Sequence, residues 1–181
     1  AVSNIREQIS FTAVYEQMGV QKPVWHHISH VISKTRDSLN TGDVEIIDKT
    51  GNIEIFADPM FGQVIYNLVE NALRHGKSLS RITFSFEQAG PQGVLIMADD
   101  GVGIADEDKI RIFQKGFGKN TGLGLFLIQE ILSFTNLTIR ERGKMGKGAR
   151  FEIHIPNQKW RISSEDDDPG TEPDSAGTGH A

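Results

Sequence analysis

Asp58-Pro-Met-Phe-Gly-Gln-Val-Ile-Tyr-Asn67-Leu-Val-Glu-Asn71-Ala-Leu-Arg74-His75-Gly76 is the stretch on which the fold turns. An aspartate followed by proline is a helix-start signal, and glycine just past a periodic segment is a stop, so the spacing predicts a helix from about Met60 to His75. At about 100° per residue, Phe61, Val64, Ile65, Leu68, Val69, Ala72 and Leu73 fall on one arc of roughly 180°. Asn67, Asn71 and Arg74 gather on the other side, flanked by Glu70 and His75. A solvated helix face is ordinarily built from better helix formers than asparagine. Two asparagines at i and i+4, with arginine one turn on, read as amide oxygens aimed at a hard cation such as Mg²⁺ beside phosphates. The plain alternative is a polar face carrying two surface amides.

Upstream, Phe11, Val14, Tyr15 and Met18 recur at helical spacing, with Gly19 as a stop. A second helical pattern opens at Lys22-Pro23 and carries Val24, Trp25, Ile28, Val31 and Ile32. Asn40–Asp43 is a turn, and Val44–Ile47 and Ile53–Ala57 read as short strands joined by a hairpin-type connection, Lys49-Thr50-Gly51-Asn52. Downstream, Arg81–Glu87 and Val94–Ala98 are strands around Ala89-Gly90-Pro91-Gln92-Gly93. A glycine-rich segment, 99–124, leads into an apolar helix at about Gly124–Phe134. Leu137–Arg140 and Arg150–Ile155 end the globular part, and 163–181 has the composition of a disordered tail. Helices do not alternate strictly with strands, which predicts an α+β fold with helices on one face of a mixed sheet.

Two further segments carry chemistry. Asp99-Asp100-Gly101-Val102-Gly103-Ile104 follows a strand, and a carboxylate there can accept from a base's amino group while glycines let a flat ring approach the backbone. An ordinary acidic turn is the alternative. Phe113–Leu125 places four glycines, Lys115 and Lys119 before an apolar helix, where free backbone amides favour phosphate; a flexible surface loop is the alternative. Other glycine motifs fail by position. Gly76-Lys77-Ser78 has Asn71 where a P-loop needs glycine, and the three G-x-G pairs are followed by Asp106, Thr121 and Leu127 where G-x-G-x-x-G needs glycine.

The 181 residues suit one domain with some extra chain. No cysteine is present, which excludes disulfides, thiolate zinc sites and a thiol nucleophile. The net charge of −5 is uneven: residues 158–181 carry −4, leaving −1 for residues 1–157 and no electrostatic footprint for nucleic acid. No apolar run is long enough to span a bilayer and no signal peptide opens the chain. The start at Ala1-Val2 rather than methionine suggests a fragment of a longer protein.

In combination and in this order, the segments resemble the ATP-binding domain of sensor histidine kinases, within the gyrase/Hsp90/histidine-kinase/MutL superfamily. Asn67–His75 resembles its N box, Asp99–Gly103 its D-x-G-x-G box, Ile112-Phe113 with Gly116-Phe117 its phenylalanine box, and Thr121–Leu125 its second glycine box. Gly146–Pro156 resembles the family's last hairpin. The resemblance covers about Val44–Pro156 and implies a two-layer α/β sandwich, the Bergerat ATP-binding fold, with ATP and Mg²⁺ as cofactors.

Carried over by position, it implies a catalytic set of Asn71, Arg74 and Lys115. Asn71 would coordinate Mg²⁺ with Asn67 beside it, Arg74 would reach the phosphates and His75 would flank the nucleotide. Asp99 would accept from the adenine amino group, with Gly101, Gly103 and Ile104 at the base. Lys115, Gly116, Phe117, Gly118, Lys119, Asn120, Thr121, Gly122, Leu123, Gly124 and Leu125 would line the phosphate end. Residues 104–121 would form a short, well-ordered lid anchored by Phe117, in a style resembling archaeal members. Asparagine at 67, where clamp and chaperone ATPases carry glutamate, points to the histidine-kinase branch.

Two features depart from the family. Ala149 stands where many relatives carry threonine, which removes a hydroxyl near the base. None of the six histidines is followed directly by Asp or Glu, so the phosphoacceptor lies outside this chain. Residues 1–20 resemble the end of a dimerisation helix and its connector, 21–157 the catalytic domain, and 158–181 an acidic tail. Implied partners are the phosphoacceptor and dimerisation helices of a homodimeric parent and a response regulator, with a cytoplasmic location for this domain. A non-catalytic docking module and a clamp-type ATPase are the rival readings. His26, His27 and His30 read as surface histidines rather than metal ligands.

Overall fold

The computed structural model describes residues 12–13, 16–117 and 122–163. The elements run β1 (Val24–His27), α1 (Ile28–Ser38), β2 (Glu45–Lys49), β3 (Ile53–Ala57), α2 (Phe61–His75), β4 (Arg81–Ala89), β5 (Gln92–Asp99), a 3-10 turn (Arg111–Phe113), α3 (Gly124–Ser133), β6 (Thr138–Glu141), β7 (Arg150–Ile155) and β8 (Trp160–Ile162). The main sheet has five strands in the order β2-β4-β5-β7-β6. β2 runs parallel to β4, and the other neighbours are antiparallel. The fold is therefore α+β with a mixed sheet, as the sequence implies.

Alternation along the strands sorts the two faces. Ile82 and Phe84 of β4, Leu95 and Met97 of β5, and Phe151 and Ile153 of β7 point to one side, and all are buried with the apolar arc of α2 and with Leu127, Ile128, Ile131 and Leu132 of α3. The other side carries an ion-pair ladder across β4 and β7, in which Arg150 reaches Glu87 at 3.7 Å and Glu152 at 2.7 Å.

A second sheet, β1-β3-β8, is antiparallel throughout and is not implied by the sequence pattern. It overturns three expectations. Val24-Trp25 opens a strand, not a helix: a β-branched and an aromatic residue favour extended backbone, and here they pair with Ala57 and Phe56. β2 and β3 do not form a hairpin but join different sheets. Asp48 Oδ1 accepts from the N–H and hydroxyl of Thr50, and Gly51 at φ +67 turns the chain away. The body continues past residue 157, because Trp160–Ile162 pairs with Ile53–Ile55. The stretch reads as polar tail, yet Trp160 packs on Phe86 at 5.1 Å and Arg161 lies 4.3 Å over Trp25.

Both ends of α2 differ in detail from the expectation. Met60 is the N-cap residue and makes no side-chain cap. Asp58 instead closes a turn one step earlier, accepting from Met60 N–H at 2.8 Å, and its other oxygen accepts from Gly19 N–H at 3.0 Å. Gly76 ends the helix with right-handed φ −66, while Lys77 takes the positive φ of 53. Phe11, Val14 and Tyr15 lie outside the described residues; Met18 is buried. No helix among the described residues is long and apolar enough to cross a membrane.

Candidate functional site

The polar edge of α2 is the floor of the site. Asn67 is buried, its Oδ1 accepting from Gln63 Nε2 at 2.8 Å and its Nδ2 donating to the carbonyl of Gly124 at 3.2 Å. Asn71 Nδ2 donates to the Asn67 carbonyl at 2.7 Å, and its Oδ1 accepts nothing from the described residues. The two asparagines thus do different work: one staples α2 to the first turn of α3, and the other keeps an amide oxygen available. Arg74 pairs with Glu70 at 2.6 Å, one turn back, and His75 is exposed.

The far end of α2 meets the Asp99 segment through backbone. Gly76 accepts from Val102 N–H at 3.2 Å, and a Cβ on Gly101 would lie 2.8 Å from Gly76 Cα and O. A Cβ on Gly103, at φ +70, would lie 2.5 Å from the Lys144 carbonyl. The close approach these glycines permit is therefore to protein backbone, where the sequence reading expects room for a flat ring. Ile104 packs against the core.

Asp99 and Asp100, adjacent in sequence, part company here. Asp99 Oδ1 accepts from Gly101 N–H at 2.9 Å and Ala149 N–H at 3.0 Å, while Oδ2 accepts nothing from the described residues. Ala149, noted for its missing hydroxyl, thus serves the site through its main chain, a role no side-chain motif could signal. Asp100 turns away to hold the start of β4, accepting from the N–H groups of Ser80 and Arg81 and from the Ser80 hydroxyl. Those bonds, led by the Ser80 hydroxyl, hold its carboxyl down at about 2.

At the other end, Gly116 N–H donates to the Gly122 carbonyl at 3.2 Å, and both glycines have positive φ, 80 and 62. Leu123 is the N-cap residue of α3, Gly124 its first residue, and a Cβ on Gly124 would lie 3.6 Å from Asn71 Nδ2. Leu125 packs against the core. Phe113 is buried edge-on to Phe151, and Phe117 lies 4.8 Å beneath the Arg111 guanidinium. Lys115 is exposed. Gly118, Lys119, Asn120 and Thr121 lie outside the described residues.

A floor of asparagines, a braced carboxylate at one end and a glycine-wound helix start at the other is a distinctive assembly. Residues 57–159, more than half of the chain, match the model of the histidine kinase-, DNA gyrase B- and HSP90-like ATPases. The chain belongs to this family. As a member of the histidine kinase-, DNA gyrase B- and HSP90-like ATPases it carries their ATP-binding module. It is 27% identical over 140 residues to the sensor-like histidine kinase SenX3 of Mycobacterium tuberculosis, covering 71% of this chain and 34% of that one. It is 28% identical over 167 residues to a probable C4-dicarboxylate sensor kinase of Bacillus subtilis, covering 82% and 31%. The chain therefore spans about a third of these curated relatives. Among solved structures, the mycobacterial sensor histidine kinase MprB superposes with TM-score 0.66 at 20% identity, over 77% of this chain and 99% of that one. Full-length ShkA in complex with AMPPNP superposes with TM-score 0.70 at 19% identity, over 86% and 35%. These two likenesses carry the fold. The curated relatives named here are bacterial, so the archaeal style expected of the lid finds no support among them.

The histidines behave structurally. His26 Nε2 lies 2.9 Å from the Asp58 carbonyl, and burial lowers its pKa. His27 and His30 stack at 4.5 Å, and no metal-binding cluster of His, Asp or Glu occurs among the described residues.

Proposed function

We propose that this chain is the catalytic part of a two-component sensor kinase, transferring the γ-phosphoryl of Mg-ATP to a histidine outside these residues. The observation that carries the reading is the continuity of α2. Its middle, at Asn67, is tied to the start of α3, and its Gly76 end is tied to the Asp99 segment. Nine residues of helix separate them by about 13 Å at 1.5 Å per residue, room for a nucleotide laid along the floor.

The base lies at Asp99. Two backbone N–H groups fix one oxygen and leave the other to accept from an exocyclic amino group, as in adenine. The phosphates lie toward Asn71, Arg74, Lys115 and the amides opening α3, where the partial positive charge of a helix start favours an anion. Glu70 aligns Arg74 along the floor. The donor set suits Mg²⁺: Asn71 offers a hard amide oxygen, and this ion takes few protein ligands beside phosphate oxygens and waters. When bound it supplies neutralisation of phosphate charge. The chain's own contribution is positioning, so that the nitrogen of an external histidine attacks in line and ADP departs.

Asparagine at 67 offers no carboxylate to activate water, and Glu70 is engaged by Arg74. Both support phosphotransfer over steady hydrolysis. In this reading residues 1–20 end a dimerisation helix and its connector, the chain from 21 through β8 is the catalytic domain, and an acidic tail follows. The partners are the phosphoacceptor helices of a homodimeric parent and a response regulator, with the domain in the cytoplasm and no nucleic-acid partner.

The test is to incubate the chain with Mg-ATP and a separate phosphoacceptor helical domain and to assay acid-labile phosphohistidine. Transfer is expected, with Asp99→Asn and Asn71→Ala weakening ATP binding. Tight binding without transfer favours a docking module, steady phosphate release by the chain alone a clamp-type ATPase, and unchanged affinity in both variants refutes the site.

A further inference from the structure

Glu141 is a carboxylate whose side chain is fully buried at the end of β6. Its Oε1 accepts from Gly143 N–H at 2.7 Å and Arg150 N–H at 3.0 Å, two backbone donors at the neck of the 142–149 hairpin. Its Oε2 is buried and receives no hydrogen bond. Lys109 faces it at 3.4 Å, donates to the Gly143 carbonyl at 2.6 Å, and pairs with Asp106 at 2.8 Å. Lys109 stands on the chain that descends from Gly103, and Glu141 on the hairpin opposite. The same two walls also meet where Asp99 exchanges backbone and side-chain bonds with Ala149, and where Gly146 N–H donates to the Val102 carbonyl at 2.7 Å. Lys109 is thus a second side-chain brace, beside the Asp99 carboxylate, between walls otherwise joined by main chain.

The walls are close-fitting. A Cβ on Gly148 would lie 1.8 Å from the Asp99 carbonyl, and one on Gly143 would lie 2.5 Å from Glu141 Oε1. A small swing of the hairpin therefore moves Ala149 N–H relative to Asp99 Oδ1 and re-aims the carboxylate proposed to read the base. Removing one member of a buried pair leaves the other charge uncompensated, so the hairpin must shift to rehydrate it. Lys109 carries further support: the hydrogen bond it donates to Asp106, with Glu141 adding to it, raises its pKa and keeps it charged.

We propose that the Lys109–Glu141 pair is a positioning element for base recognition, setting the separation of the Asp99 segment from the 142–149 hairpin. It rests on the nucleotide-binding reading of the site. Its effect falls on the base and not on the phosphates, because the brace joins the walls of the Asp99 end alone.

The test uses the 181-residue chain and measures Mg-ATP affinity, the ratio of ATP to GTP affinity by competition, and thermal stability. Lys109→Met is expected to weaken ATP by about tenfold and to narrow the ATP/GTP ratio, since displacement of a recognition group by a fraction of an ångström has that scale of effect. Glu141→Gln, which keeps the shape, narrows the ratio less and stands in where Lys109→Met does not fold. The double variant K109M/E141Q removes both charges, keeps an oxygen to accept from Gly143 and Arg150 N–H, and regains part of the stability, yet keeps the narrowed ratio. Equal losses for ATP and GTP, an unchanged ratio in the folded variants, or a ratio restored together with stability would each overturn the proposal. A wild-type chain that binds no ATP refutes the nucleotide-binding reading itself, a result distinct from all of these.

Discussion

The Gly76 end of α2 and its middle at Asn67 are built in opposite ways. At the Gly76 end the walls are main chain against main chain. Gly101 lies against Gly76, Gly103 against Lys144, and Gly148 against Asp99, while Oδ1 of Asp99 already holds two N–H groups. Around Asn67 the groups are side chains on one helix, and Asn71 retains an amide oxygen without a protein donor among the described residues. A flat, rigid base is recognised best by a slot built beforehand, because any misfit leaves polar groups unpaired. A phosphate chain with its cation needs spare acceptors and donors, because the ligand completes the coordination. The first region is consequently sensitive to volume, and the second to chemistry.

Breaking the first region should have the largest effect. Gly148→Ala adds a Cβ at φ +104 against the Asp99 carbonyl, and we expect a loss of about 3 kcal/mol in urea unfolding together with ATP binding. Asp99→Asn keeps volume and Oδ1 acceptance but loses the charge-assisted bond to the base. Calorimetry should show ATP about 10- to 100-fold weaker with little change in melting temperature. Asn71→Ala attacks the other region: affinity falls roughly tenfold in Mg²⁺ and much less in its absence, the mark of a lost acceptor and not a lost wall. A Mg²⁺-independent loss would contradict the division of labour.

The smallest effect belongs to Asp100, which lies beside the slot but outside it. Its carboxyl is lowered from 3.8 to about 2, so the charged form is favoured by the fold. That contribution is present above about pH 4 and is lost as pH falls toward 2. Asp100→Asn should flatten the acid limb of stability between those values while leaving ATP affinity near wild type. A steep loss of affinity would mean that the two aspartates share the base-reading role.

Much of this was legible in residue order. The apolar arc of α2 from Phe61 to Ala72 is buried as its period requires, and the β4–β5 hairpin forms around Gly90-Pro91. The asparagines, Asp99 and the glycine runs announced a nucleotide site in combination. What escaped was whatever depends on a distant partner. Val24-Trp25 continues a helical pattern until Ala57 and Phe56 are brought alongside it. Trp160–Ile162 looks like tail until Ile53–Ile55 offers an edge. Asp58 reads as a helix cap, yet one of its oxygens holds Gly19, thirty-nine residues away. Lys109 and Glu141 are brought together from segments thirty-two residues apart, 3.4 Å from each other.

The sequence by itself determined the periodicity of α2, the turn positions, the glycines that permit close backbone approach and the donor types of the site, because these follow from local sterics and side-chain chemistry. Tertiary structure alone decided which strands share a sheet, which asparagine keeps an amide oxygen without a donor among the described residues, and which carboxylate is braced by the Gly101 and Ala149 N–H groups and which holds a strand. Those choices are made by hydrogen bonds and desolvation between residues far apart in the chain, where the energy of a group depends on what it meets and not on its neighbours in sequence.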